Sequence, residues 1–293
     1  MHFGRTANPW LMGILLLLPL AAAGGWVDPF GDWHPHEIRW NRAFQSIGDV
    51  SLWMRGISAL GPGWGMWVMI GALFFGRYPR LGARVAVFVL GVIWFREVLA
   101  MSLQSPRPYW MDDSLRTFGD VATKRSTYGL PSGHALIGTA FWVYLAAEVK
   151  RVWAWVGALG LALAICASRI YLGVHFVSDV CLGAVLGTVL ALGYRAAEAR
   201  WTGRVLGMEV RHRLMLAAGV GLGMVAVGWF VRAWVLTVPV PEAWLKYGTE
   251  ARRAGMVALV GGSMTGVCFG LILGGQRLWK TLEKLRIAAR LKD

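Results

Sequence analysis

His175 and Asp179 stand four residues apart at the start of an apolar run, so on a helix they share one face. A carboxylate beside one imidazole nitrogen fixes the tautomer and supports positive charge on the ring. The other nitrogen then keeps a lone pair that can attack an electrophile. Alone, such a pair reads more simply as a helix-end contact. Arg107 and Arg169 sharpen it, because both also fall at ends of apolar runs, where an ionisable group is costly without a task. A single interfacial arginine usually snorkels to lipid headgroups, but two beside a His–Asp pair offer paired donors that match phosphate oxygens. The third group is Pro131-Ser132-Gly133-His134. Proline starts a helix, glycine lets backbone approach a ligand, and the free N–H groups of the first turn join the Ser132 hydroxyl as an anion site. His134 is placed to protonate a leaving oxygen as general acid. The chemistry these types support is phosphoryl transfer through a nucleophilic histidine.

The elements that must hold these groups are apolar. The chain has 293 residues, 56% of them hydrophobic, with mean hydropathy +0.51. Charged residues make up 16%, against about 25% in an ordinary soluble domain. Several runs approach the roughly 20 residues that cross a bilayer, so the expected class is an all-α, polytopic transmembrane helix bundle. The +14 formal charge does not indicate nucleic acid. Its basic residues sit in short clusters between apolar runs, as the positive-inside rule expects of cytoplasmic loops.

Eight spans are expected, at about 10–26, 62–76, 82–102, 132–148, 152–168, 176–195, 214–236 and 254–274. The first ends in small residues and has a signal peptide as its alternative. Residues 28–60 read as a helix lying in the membrane interface, preceded by His34 and His36, taken as surface histidines. A polar loop covers 111–130, and a strongly basic loop carries Arg195, Arg200, Arg204, Arg211 and Arg213. The tail from Gln276 suits a basic amphipathic helix on an anionic cytoplasmic leaflet, with a solvated helical tail as the alternative. Cys166, Cys181 and Cys268 lie inside apolar runs and show no metal-ligand spacing. This topology, drawn without reference to chemistry, puts the dense basic clusters on one side. It puts Arg107, Ser132, His134, Arg169, His175 and Asp179 on the other.

The three blocks, in this order, resemble the type-2 phosphatidic acid phosphatase superfamily, whose pattern is Lys-x6-Arg-Pro, then Pro-Ser-Gly-His, then Ser-Arg-x5-His-x3-Asp. The second block is complete at 131–134 and the third at 168–179, while the first is present only as Arg107-Pro108. The resemblance covers roughly residues 60–197, a phosphatase core between a first span with its interfacial helix (1–59) and two additional spans with a basic tail (198–293). It implies a metal-independent membrane lipid phosphatase with no cofactor. By position, His175 would be the nucleophile, Asp179 its orienting carboxylate and His134 the acid. Arg107, Ser132, Gly133 and Arg169 would hold the phosphate.

One position departs. Where the superfamily has lysine, this chain has Ala100. Arg96, one helical turn earlier on the same face, is a candidate replacement, its alternative being an intramembrane pair with Glu97 or Asp179; Lys124 and Arg125 are a second source of charge. The leading expectation is hydrolysis of a lipid phosphate or diphosphate at the outer face of a bacterial inner membrane. Undecaprenyl diphosphate, phosphatidic acid, phosphatidylglycerol phosphate and lipid A phosphate all fit motifs that bind phosphate and not the lipid body. Lipid-to-lipid phosphotransfer and non-catalytic lipid binding or transport are the alternatives.

Overall fold

The structure is a computed structural model that describes residues 28–115, 128–235, 237 and 241–244. Among these residues the chain is helical, with no strand. The expected first and eighth spans, the basic tail, Lys124 and Arg125 lie outside them. Two short helices, α1 (His34–Gln45) and α2 (Ser51–Ser58), precede α3 (Trp64–Phe75), α4 (Pro79–Leu103), the single turn α5 (Pro108–Met111), α6 (Gly133–Val149), α7 (Val152–Tyr171), α8 (Val177–Gly207) and α9 (Val210–Val235).

Among the described residues, four stretches are long and apolar enough to cross a membrane: Pro79–Met111, Val152–Tyr171, Val177–Trp201 and Val210–Ala233. The outer faces of the last three carry exposed Val156, Leu159, Leu163, Val185, Leu222 and Phe230, a surface that lipid covers and water would not tolerate. This is an integral membrane protein. The expected second span is only the 12 residues of α3, roughly 18 Å at helical rise. The fourth is the 17 residues of α6.

α6 is the central helix. Leu136, Ile137, Ala140, Phe141, Val143 and Tyr144 are all buried, the mark of a helix apolar all round, and α4, α7 and α8 pack about it. It therefore carries its N-terminal Ser-Gly-His into the middle of the bundle. The approach of α8 to α6 is closest at two glycines. A Cβ on Gly187 would lie 2.4 Å from the Leu136 carbonyl oxygen, and one on Gly183 3.0 Å from that of Ser132.

Two expectations need correction. The basic stretch after residue 195 is not a loop, since α8 runs on to Gly207 and α9 begins at Val210. Ala196, Ala197, Glu198 and Ala199 are strong helix formers. The extended helix also brings Glu198 to Arg84 (2.5 Å) and to the Tyr144 hydroxyl (3.0 Å). Arg84 in turn pairs with Glu148 at 2.7 Å, and Arg195 also pairs with Glu148. This network closes the end of the bundle opposite the Ser-Gly-His turn. The interfacial helix of 28–60 is likewise two helices, broken near Gly48, whose φ of 114° suits glycine.

Candidate active site

Three element ends converge. α4 stops at Gln104, whose left-handed φ of 47° turns the chain into Ser105-Pro106-Arg107-Pro108; the prolines prevent helix from continuing through Arg107. α6 begins after Ser132, whose hydroxyl caps it by accepting from the Ala135 N–H at 3.4 Å. α8 begins after Phe176, and Asp179 Oδ2 accepts the Phe176 N–H at 3.0 Å. The Ser132 N–H donates to the Asp179 carbonyl at 3.0 Å, joining the two helix starts directly.

His175 Nδ1 lies 3.0 Å from Asp179 Oδ2. With its proton on Nδ1, the ring turns the Nε2 lone pair outward, where the Arg107 Nη1 stands at 3.3 Å. Arg107 Nη1 also donates to the Val174 carbonyl at 2.9 Å. Burial first, then the nearby Arg107 and Arg169 charges, push the His175 imidazole well below its ordinary pKa. The ring is thus neutral and nucleophilic at physiological pH. Arg169 donates to Ser58 Oγ at 2.7 Å. Its Nε, in a residue only 5% exposed, has no partner among the described residues, a buried cationic donor suited to an anion. Gly133 and His134 are half-buried while Ser132 and Asp179 are fully covered, so the turn forms the mouth of the site. Arg169, Arg107 and Arg96 all lie within electrostatic reach of His134.

All eight sequence-derived residues are therefore in one neighbourhood. Arg96 sits beneath the turn: Nε donates to the Pro131 carbonyl (3.1 Å), Nη2 to that of Tyr128 (3.0 Å), and Nη1 pairs with Glu97 at 2.6 Å. Arg96 thus makes the pair with Glu97, together with two backbone contacts that sequence reasoning missed.

Other contributors were also missed. Asn41 on α1 donates to the carbonyls of Ile170 and His175 at 2.9 and 3.0 Å, holding the α7–α8 turn from behind. Gly129 passes so near the dyad that a Cβ would lie 2.6 Å from the Pro106 carbonyl oxygen and 3.0 Å from Asp179 Oδ2. His34, expected at the surface, is 1% exposed. Trp244, from beyond α9, meets Trp110 at a tilt of 53° (6.1 Å between centroids), and Trp110 in turn meets Tyr128 at 5.9 Å.

Residues 81–202 match the family model described as the PAP2 superfamily. Over that stretch, somewhat under half of its length, the chain is similar to the PAP2 superfamily. It is similar to an undecaprenyl-diphosphatase of Sulfolobus acidocaldarius, with 27% identity over 146 residues, 49% of this chain and 68% of that one. It is also similar to sphingosine-1-phosphate phosphatase 2 of Mus musculus, with 33% identity over 135 residues, covering 42% of this chain but only 35% of the mouse protein. Among solved structures it resembles a transmembrane PAP2 type phosphatidylglycerolphosphate phosphatase from Bacillus subtilis, with a TM-score of 0.51 over 65% of this chain and 94% of that one. At 22% identity that likeness shows the fold. The PAP2 match contains Arg107, the Ser132–His134 turn, Arg169, His175 and Asp179; Asn41, His34 and Trp244 lie outside it.

Proposed function

We propose that this protein hydrolyses a phosphate or diphosphate ester of a membrane lipid at the outer face of the membrane, through a phosphohistidine. The observation that carries the reading is the His175 ring, held by Asp179 at Nδ1 and presenting Nε2 to Arg107. The named activities of the relatives, one on a lipid diphosphate and one on a lipid monophosphate, point to the same reaction class.

In the first step His175 Nε2 donates its lone pair to phosphorus and the bond from phosphorus to the leaving oxygen breaks. His134 gives that oxygen a proton, and Asp179 stabilises the charged ring. In the second step water attacks the phosphohistidine, His134 takes a proton from that water, and the nitrogen–phosphorus bond breaks to free phosphate. Arg107, Arg169, the Ser132 hydroxyl and the first-turn N–H groups, Gly133 among them, hold the equatorial oxygens. These arginines supply the positive charge that a metal provides elsewhere, so the reaction is metal-independent. Arg96 serves that cradle from below, bracing the Tyr128 and Pro131 carbonyls.

The outer-face orientation is supported by charge. Arg77, Arg80, Arg84, Lys150, Arg151, Arg200 and Arg204 fall at the helix ends opposite the site, and basic ends remain cytoplasmic. The test is phosphate release by purified protein from a panel of phospholipid and polyprenyl phosphates in detergent micelles with EDTA present. Release by wild type and none by His175→Ala is expected. Equal release by both, or release abolished by EDTA, overturns the mechanism.

A further inference from the structure

His34 packs against Phe176, next to the dyad. Its Nε2 is 2.7 Å from Asp28 Oδ2 and its Nδ1 is 3.1 Å from Glu37 Oε2. A neutral imidazole has one N–H and can satisfy only one of two carboxylates; the doubly protonated ring satisfies both. The ring stacks on Phe176, with centroids 4.1 Å apart and planes 10° from parallel. Phe176 is the residue between His175 and α8, and its N–H is bound by Asp179.

Both carboxyl groups are tied to the elements that build the site. Glu37 accepts the Ser178 N–H at 2.6 Å and the Ser178 hydroxyl at 3.1 Å, satisfying an open donor in the first turn of α8. Asp28 is anchored by its own N–H to the Leu103 carbonyl at 2.9 Å, where α4 ends. Asp179 is 0% exposed and its Oδ1 has no hydrogen-bond partner among the described residues. Arg107 and His34 are cations in its electrostatic surroundings, and Glu37 is the opposing anion. A buried carboxylate so placed depends on nearby positive charge.

We propose that Asp28, His34 and Glu37 form a positioning triad for the proposed phosphatase reaction, an imidazolium clamped between two carboxylates that fixes the start of α8 and sets a positive charge behind Asp179. None of the three touches the phosphate; each acts through Phe176, Ser178 and Asp179. Burial alone would lower the basicity of His34, but the bonds from Asp28 and Glu37, aided by the charge of Asp179, raise its pKa to about 9. The groups facing the ring are Asp28, Glu37 on its own helix, Phe176 and Asp179 from the α8 start, and Ser105, 3.5 Å from Nε2, after α4. Above about pH 9 the ring loses its proton, one nitrogen no longer donates, and three carboxylates face one another across a neutral ring.

The full-length protein in detergent micelles tests this by phosphate release from dioctanoyl phosphatidic acid between pH 5 and 10. Wild type should show kcat falling on an alkaline limb near pH 9. His34→Gln should lower kcat at least tenfold at neutral pH, keep KM within about threefold because the cradle is untouched, and lack that limb. His34→Lys, which restores a cation, should recover part of kcat. A merely structural histidine would change the active fraction and leave the limb in place, so an unshifted limb in His34→Gln, or unchanged kcat, overturns the proposal. Should His34→Gln not fold, Asp28→Asn leaves one carboxylate and must move the limb toward neutral pH; an unmoved limb overturns it equally. If wild type releases no phosphate from any lipid of the panel, the hydrolase reading fails but the triad is still read by melting temperature. A raised folded pKa gives stability that is complete below about pH 6.5 and lost as pH rises through 9. Wild type must show that loss more steeply than His34→Gln.

Discussion

Gly187→Ala puts one methyl group into the closest helix contact of the site. The new Cβ would lie 2.4 Å from the Leu136 carbonyl oxygen and 3.0 Å from the Ala140 nitrogen, both backbone atoms that cannot rotate away. Restoring ordinary contact requires α6 and α8 to part by roughly 1 Å, an overpacking that costs about 1–3 kcal/mol. The damage extends beyond stability, because the same two helices carry Ser132 and Asp179, joined by their backbone bond at 3.0 Å. A displacement of about 1 Å between a nucleophile and the groups that receive its substrate costs on the order of a hundredfold in rate. Gly187 lies two helical turns below that junction, so part of the shift is absorbed, and kcat should fall between about tenfold and a hundredfold. The assay is phosphate release from micellar lipid phosphate, with thermal denaturation of the same preparation. Gly193→Ala is the control: it is on the same helix, its Cβ meets nothing within 4 Å, and alanine favours helix there by up to about 1 kcal/mol. Wild-type kcat and melting temperature in Gly187→Ala would refute the reasoning, because the interhelical contact would then not set the geometry of the site.

Arg96→Ala removes two backbone braces and strands Glu97, so a kcat loss of tenfold or more is expected, with Arg96→Lys unable to restore both braces; full activity in Arg96→Ala would show that the turn holds itself. Asp179→Asn, with its carbonyl oxygen in the Oδ2 place, keeps both the Phe176 and the His175 contacts but removes the charge that stabilises the positive ring, so kcat should fall by about tenfold or more while KM changes little, as single-turnover measurements would show. Trp244→Ala opens the aromatic wall formed with Trp110 and Tyr128 and should raise KM for long-chain more than short-chain lipid phosphates; equal KM changes for both chain lengths would place Trp244 outside the lipid path.

Local chemistry was legible in the sequence, and relations between distant elements were not. His175 and Asp179 are a single helical turn apart, and the Ser132–His134 turn is contiguous, so spacing alone brings those atoms together. Apolar runs of membrane length placed α4, α7, α8 and α9 to within a few residues at most ends, because lipid forces backbone bonds to close within a helix. The family pattern carried Arg107 and Arg169 across as well. The basic segment after Arg195 misled because charge density was read as loop, when alanine-rich helix extends there.

The remainder depended on which face of a helix turns inward. Helix α1 inverts the usual pattern: its buried residues are His34, Glu37 and Asn41, spaced along one stripe, while Trp40 is exposed. Read as an interfacial helix, those polar residues belong outside; only the bundle provides the carbonyls, Ser178 and Asp28 that make their burial favourable. Gly183-Ala184-Val185-Leu186-Gly187 did signal close helix approach, but not which partner comes near. Arg96 likewise showed a charge within an apolar run, and its bonds span 32 and 35 residues. Sequence by itself determined which groups could do phosphoryl chemistry, because within each block those groups are neighbours along the chain. Tertiary structure decided what stands behind them, because polar partners become necessary only once packing has removed water.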